Sequence, residues 1–561
     1  MKKTFKPLAL AAAVASTGYM AGASAQSLTT GGLGDMAIIP YYTVEGDYQT
    51  GIHIINTSEY TQVVKLRFRR ASDSMDALDL NLVMSPKDVW TGSLSDDTGT
   101  MKLVTDDSTC TVPRASAGQP DGTFEFPSLY REGAEEGYVE VIAMGEPNDQ
   151  TSPDGGLDGA TDEDTAIAEA AEHVNGVPRS CDSVRENFFS RNGVISSVVP
   201  AFVGNVDYDT TQMEWWDDLN DIDDPDVDPE EVTIEYRDSD NALRVSWFLR
   251  DAATGLEFGD EAVHVEDFLG ASAMTNQQFG LFSGDITGFD YPDLNGGVPD
   301  GLVSPVADSA NGNRDRFQVL RSILGVDSVL NDWSTASERN VSTDWVVTFP
   351  GQYTMLDYYL YTVGEVQGVF SCGAEEDNIE VDGGSVDNIP ECDFRDLPVR
   401  ADLDETFDRE EDQLDPEDGE LVVSPSIPGQ QAVTELQYEV NVIEWTNGEN
   451  SPVLDSNYTV SVDTSGYSQP FGWAQLSVTS NNNTSDPDNR PDTAAAPAIC
   501  DWDGTNESLD GAVPGTTIYM MDCAAATGGI PMVGFVAWER SFPSDPSANY
   551  GRIIPHASTQ P

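Results

Sequence analysis

Asp221, Asp223, Asp224, Asp226 and Asp228 form a dense, alternating run of carboxylates between Trp216 and Glu231. Calcium takes about six to eight oxygen ligands at roughly 2.3–2.6 Å. A carboxylate loop stiffened by Pro225 and Pro229 supplies that donor type. Calcium is therefore the one cofactor the sequence suggests, with Asp221, Asp223, Asp226 and Asp228 as its ligands; a solvated acidic loop is the competing reading. Asp154, Asp158, Asp162 and Asp164 form a second candidate, and Asp501-Trp502-Asp503-Gly504 a third that lacks full EF-hand spacing.

Other chemistry is sparse. The chain has no G-x-S-x-G elbow, no H-E-x-x-H and no P-loop. Its four histidines are His53, His173, His264 and His556. A Ser-His-Asp triad assembles in space, without a motif. With 98 acidic residues, pairs of carboxylates carry no glycosidase signal without geometry. No catalytic residue is expected from the sequence. Glu169 and His173, four apart on a helix expected over Thr165–His173 with Asp164 as N-cap, read as an ordinary helix-face pair.

Lys65, Arg67 and Arg69 alternate along one strand and are a basic exception in an acidic chain. They read either as a dock for a sulfated or acidic polymer or as cross-strand partners of Asp76 and Asp79. Trp215 and Trp216 are candidates for stacking sugars, although core packing accounts for most of the ten tryptophans.

Charge and composition narrow the partners. There are 98 acidic and 27 basic residues, for a net charge of −71. Lys65, Lys87 and Lys102 are the only lysines beyond Lys6. Such a surface repels phosphate, so no nucleic-acid partner is expected. Salt screens this repulsion, and the balance reads as adaptation to salty water, with divalent-cation loading as the other reading. Partners that remain are a cell-surface or matrix polymer, or a second copy of the chain.

Met1–Lys6 is a basic start, Leu8–Val14 is apolar, and Ala23-Ser24-Ala25 is an A-x-A cleavage signal. This reads as a secretory signal peptide over 1–25. No later stretch has the roughly 18 apolar residues of a membrane helix. The expected location is outside the cytoplasm: extracellular, on the cell surface or in the periplasm. Cys110, Cys181, Cys372, Cys392, Cys500 and Cys523 suit an oxidising compartment. Sequential pairing, Cys110–Cys181, Cys372–Cys392 and Cys500–Cys523, is preferred because each bridge closes a local loop.

The elements that carry these residues are mostly strands. Gly51–Asn56, Gln62–Arg70 and Ala77–Met84 alternate with period two and read as a three-stranded core. Its dry face holds Val64, Leu66, Phe68, Leu78, Leu80, Leu82 and Met84; its wet face holds His53, Lys65, Arg67 and Arg69. Met36–Val44 is expected at an edge, because Pro40 has no N–H for a central ladder. Further strands are expected at 88–92, 101–105, 138–143, 194–200, 232–236, 242–250, 344–349, 355–363, 436–445, 458–462, 471–478, 517–521 and 532–538. One helix is expected over 314–324, with Gly325 ending it.

The fold class is mainly β: antiparallel β-sandwich domains with acidic loop insertions and a few short helices. An N-terminal sandwich is expected over 26–205 and a central β-rich region over 206–370. An acidic loop or linker follows over 371–430, and a C-terminal β-rich region over 431–561.

Thr343–Pro350, the Ile54–Ser58 turn and Ser85–Trp90 resemble segments of uncharacterised exported, cell-surface-type proteins of Gram-negative bacteria. That group brings no reaction with it. The expectation is a non-catalytic surface or extracellular protein, structural or adhesive, adapted to high salt and stiffened by calcium. The alternative is a secreted carbohydrate-binding or carbohydrate-active protein.

Overall fold

A computed structural model describes residues 27–29, 31–72, 74, 76–96, 99–112, 114, 122–126, 131, 133–147, 167–182, 184, 236–269, 292, 294, 323–351, 376–381, 384–390, 399–412, 434–478, 499–506, 519–524 and 530–559. The protein is mainly β, 58% strand against 6% helix. Strands form at Tyr48–Asn56, Gln62–Arg70 and Asp76–Met84, as the alternation requires. They do not form one sheet.

Gln62–Arg70 pairs with Asp76–Met84 and Glu136–Pro147. Tyr48–Asn56 pairs instead with Val89–Asp96 and Leu243–Asp251. The reason lies at Asn56. Its buried amide donates to the carbonyls of Tyr60, Met84 and Ser85, and its oxygen accepts from the Ser58 N–H and hydroxyl. These bonds carry the chain across from one sheet to the other instead of folding it back as a hairpin.

The two sheets make the first sandwich. One runs Ser27–Leu28, Val263–Glu266, Met36–Thr43, Glu136–Pro147, Gln62–Arg70, Asp76–Met84, Cys110–Val112. The other runs Glu257–Glu261, Leu243–Asp251, Tyr48–Asn56, Val89–Asp96, Met101–Val104, Thr123–Glu125. Leu66, Phe68, Leu80 and Leu82 meet Ile52, Ile54, Trp90 and Trp247 in the core between them. His53 therefore belongs to a different sheet from Lys65, Arg67 and Arg69, which corrects the shared wet face.

Met36–Thr43 is also not an edge. It lies between Val263–Glu266 and Glu136–Pro147 and is buried throughout. Pro40 is tolerated because it falls at a register break in the second pairing and beyond the end of the first.

A second sandwich follows. Its outer sheet is ordered Thr434–Leu436, Val399–Asp408, Phe471–Val478, Ser328–Ser334, Ala557–Thr559. Its inner sheet is ordered Thr459–Asp463, Val440–Thr446, Val341–Thr348, Val533–Arg540, Tyr550–Pro555, with the first pair parallel. Val399–Asp408 corrects the reading of 371–430 as loop: Val399, Ala401 and Leu403 alternate into the core. Glu376–Val381 and Gly384–Pro390 form a hairpin in the same stretch.

The middle of the inner sheet is buried on both faces. Trp345, Ile443, Trp445 and Val536 face the outer sheet, while Val346, Val442, Phe535 and Ala537 join the core of the first sandwich. Phe535 contacts Tyr41 and Trp247, with ring centroids 6.5 and 5.2 Å apart. The near-continuous apolar run at Thr343–Phe349 follows from this double burial.

The disulfide Cys110–Cys181 is formed. Cys372 and Cys392 lie outside the described residues, and Cys500 stands directly opposite Cys523 in an antiparallel pair. The bridge ties the segment 167–184 to the sheet edge across a sequence separation of 71. Loop-closure entropy for that length gives about 4 kcal/mol, and delivered values run about 2–4 kcal/mol. Cys110→Ala should lower the urea-unfolding free energy by about that much; no change would show that the bridge leaves the unfolded chain unconstrained. Among the described residues no helix is long and apolar enough to cross a membrane.

Candidate functional site

The predicted basic face is the first test. Lys65, Arg67 and Arg69 are on one face of their strand, as alternation demands, but that face is buried: none exceeds 1% exposure. The outer face of the sheet is covered at one end by the helix Ile167–Ala171, which packs on Val63, Val83 and Met144. At the other end the carbonyl of Pro292 accepts from Arg67 Nη1 at 3.0 Å.

Between these covers runs a ladder of charges. Arg69 Nε meets Glu140 Oε1 at 2.9 Å, and Arg67 Nη1 meets Glu140 Oε2 at 3.5 Å. Asp79 Oδ2 lies 3.8 Å from Arg67 Nε and 4.0 Å from Lys65 Nζ. These contacts bear out Asp79 as a cross-strand partner, and the strand register sets Asp76 opposite Arg69. The face is internal structure, which fits the cross-strand reading of these residues and not the alternative of a polymer dock.

His173 stands on a hairpin, not on the helix, which ends at Ala171. The turn is Asn175-Gly176, with φ of 58° and 86°. Both values need the left-handed region that Asn and Gly tolerate, and Asn-Gly between two short strands is a strong hairpin signal. The disulfide holds this hairpin over Ser85, Asp88 and Ser108.

Ser108 Oγ lies 3.3 Å from His173 Nε2 and Ser85 Oγ 2.9 Å from Nδ1. Asp88 Oδ2 is 3.8 Å from Nδ1, beyond hydrogen-bond reach, and accepts instead from the Ser85 N–H and the Thr109 hydroxyl. Burial raises the Asp88 carboxyl, and the nearby His173 opposes that rise. Serine on one ring nitrogen and an acid beside the other is the order of a hydrolytic triad. Here Ser85 occupies the position the acid would need, so the group works as a clasp on the hairpin.

The remaining concentration of functional groups is on the outer face of the second sandwich. Phe407 and Trp473 are paired across neighbouring strands and stack with centroids 4.9 Å apart and planes 23° apart. Gly472 beside them permits the close approach: a Cβ there would come within 1.8 Å of the Phe407 carbonyl oxygen. Trp473 is 38% exposed, whereas Trp90, Trp333, Trp345 and Trp445 are fully buried.

Cross-strand pairing puts Asp332 beside Trp473, and Gln475 opposite Glu405. Phe471, two residues along, lies under Arg339 and Arg409 at 5.8 and 5.5 Å. The result is a flat aromatic surface rimmed by carboxylate, amide and guanidinium groups. Sequence reasoning placed Phe471–Val478 as a strand but singled out none of these side chains. The missed signal was the order Phe-Gly-Trp with alternating Ala474 and Leu476, which puts both rings opposite the core face.

The expected calcium ligands Asp221, Asp223, Asp226 and Asp228 lie outside the described residues, as do Asp224, Asp154, Asp158, Asp162, Asp164, Trp215 and Trp216. Of the helix expected over 314–324, only Ile323 and Leu324 are described, and both are helical. Among the described residues no group of three or more His, Cys, Asp or Glu is placed to hold a metal. Compared with known proteins, the chain matches no family model, no curated protein and no solved structure.

Proposed function

We propose that this is an exported protein of the cell surface or extracellular matrix that works by contact, gripping a saccharide polymer on the outer face of its second sandwich. The exposed Phe407–Trp473 stack carries the reading. An indole and a phenyl ring held nearly parallel on a rigid sheet offer an apolar plane at little entropic cost. Sugar rings present such a plane of C–H groups, and Asp332, Glu405 and Gln475 supply hydrogen-bond partners for hydroxyls around it.

The leader over 1–25 and the Cys110–Cys181 bridge support export, since disulfides persist in oxidising compartments. The net charge of −71 supports work in salt, where counterions screen the self-repulsion. Two linked sandwiches with a shared core suit a load-bearing spacer.

A glycan array probed with the full chain in molar salt tests this. We expect binding to a neutral saccharide that weakens about 10-fold in Trp473→Ala, equal to roughly 1.4 kcal/mol, while the melting temperature stays within about 2 °C. An array without signal, or a variant that binds like the parent, removes the proposal.

A further inference from the structure

We propose a second, chemically different site on the hairpin Val533–Arg540 and Tyr550–Pro555: a cradle for the carboxylated sugar units of an acidic polysaccharide. Trp538 pairs with Arg552 across this hairpin, and Arg540 pairs with Tyr550. All four side chains therefore share one face of the sheet. The Arg552 guanidinium lies 4.8 Å over the Trp538 ring, and that of Arg540 lies 5.1 Å over Phe542. Tyr550 sits between, 5.6 Å from Trp538 and 6.3 Å from Phe542, at 29° to the latter. It is 44% exposed.

The frame is rigid. The Phe542 N–H donates to Asn549 Oδ1 at 2.7 Å and closes the turn. Gly551 lies against Phe258 of the first sandwich, where a Cβ would come within 2.6 Å of Cδ1.

The pairing of charges is distinctive here. Elsewhere on the described surface Lys87, Lys102, Arg114, Arg179 and Arg244 each have a carboxylate within 4.0 Å, and Arg131 and Arg250, which have none, stand on different segments of the first sandwich rather than side by side on one face. Neither Arg540 nor Arg552 has one among the described residues, in a chain of 98 acids and 27 bases. Arg540 Nε is buried and makes no hydrogen bond. Glu539, the acid of this strand, has the opposite parity and faces the first sandwich near Asp251. Asp545 at the turn bonds to Ser547.

A guanidinium stacked on an aromatic ring keeps its N–H edge free and fixed in direction, which suits bidentate capture of a carboxylate. The Tyr550 ring beside it offers an apolar plane for the sugar. Two guanidinia on one face match an anion that repeats, as on a polymer. Among the described residues the rest of the surface is dominated by carboxylates, so an acidic polymer finds its paired guanidinia at this hairpin.

The test uses the full chain and oligogalacturonate as probe, followed by calorimetry. We expect binding to oligogalacturonate and none to a neutral oligosaccharide of equal length at this site. Arg540→Gln and Arg552→Gln should each weaken it about 10-fold, and Arg552→Lys should recover only part, because lysine lacks the planar fork. Trp473→Ala should leave it unchanged, which separates this site from the aromatic face of the outer sheet. Unaltered melting temperatures would show that the variants are folded. Absence of binding, equal affinity in the double glutamine variant, or equal affinity for dextran sulfate or duplex DNA would each overturn the proposal.

Discussion

Glu140→Leu should lower the unfolding free energy by about 3–5 kcal/mol, the largest single-residue effect expected in the first sandwich. The carboxylate it removes is fully buried and shared by Arg67 and Arg69. Burying an ion is tolerable only when opposite charges and hydrogen bonds surround it. Without Glu140 the two guanidinia keep the carbonyls of Pro292 and Ser74 but lose their common anion. Charge and shape can be separated by the pair Glu140→Leu and Arg69→Met. The double variant should be more stable than the sum of the singles, because removing the second charge relieves the first loss. Urea melts of the two singles and the double measure this; additive losses would refute the shared-charge account. The loss should also persist from dilute to molar salt, since ions in solution do not screen groups out of water.

The same ladder shows where the sequence was legible and where it was not. Alternation in Gln62–Arg70 fixes which side chains share a face, and Lys65, Arg67 and Arg69 do share one. Alternation cannot say what lies beyond that face. The clue was Val63 and Val83, which have the parity of the charges and are buried under the helix Ile167–Ala171. A wet face does not alternate into valine. Sheet membership was less legible still. Asn56 reads as a turn former, and only its bonds to the carbonyls of Met84 and Ser85 send the chain into a second sheet. The Phe407–Trp473 face needs a register between strands about 66 residues apart, which no local pattern supplies. The Val399–Asp408 strand was hidden for another reason: acids at Asp402, Asp404 and Glu405 disguise the apolar alternation of Val399, Ala401 and Leu403.

Asp344→Asn should change how stability depends on pH more than any other substitution at the joint between the sandwiches. Asp344 is 1% exposed, and its Oδ2 accepts from the Val453 and Leu454 N–H groups at 2.7 and 2.9 Å. The Tyr48 hydroxyl donates to the Val453 carbonyl at 2.6 Å, so this loop is gripped from both sandwiches. Burial pushes the Asp344 carboxyl up to about 7, against the pull of those two N–H groups and with help from Glu444 and Glu539. The folded protein therefore holds a proton that the unfolded chain releases near 3.8. Between pH 4 and 7 the folded state binds more protons, and the unfolding free energy falls as pH rises. A displacement from 3.8 to about 7 corresponds to a loss on the order of 4 kcal/mol across that window. Asparagine keeps an oxygen for both N–H groups and has no proton to lose. The variant should gain on the parent steadily from pH 4 to pH 8, by about that amount, in chemical melts at fixed salt. Asp344→Ala should instead lose about 1–3 kcal/mol at low pH, where the parent is neutral, because two buried N–H groups lose their acceptor. A difference between the asparagine variant and the parent that stays flat from pH 4 to 8 would mean that the buried carboxyl titrates as it does in the open chain.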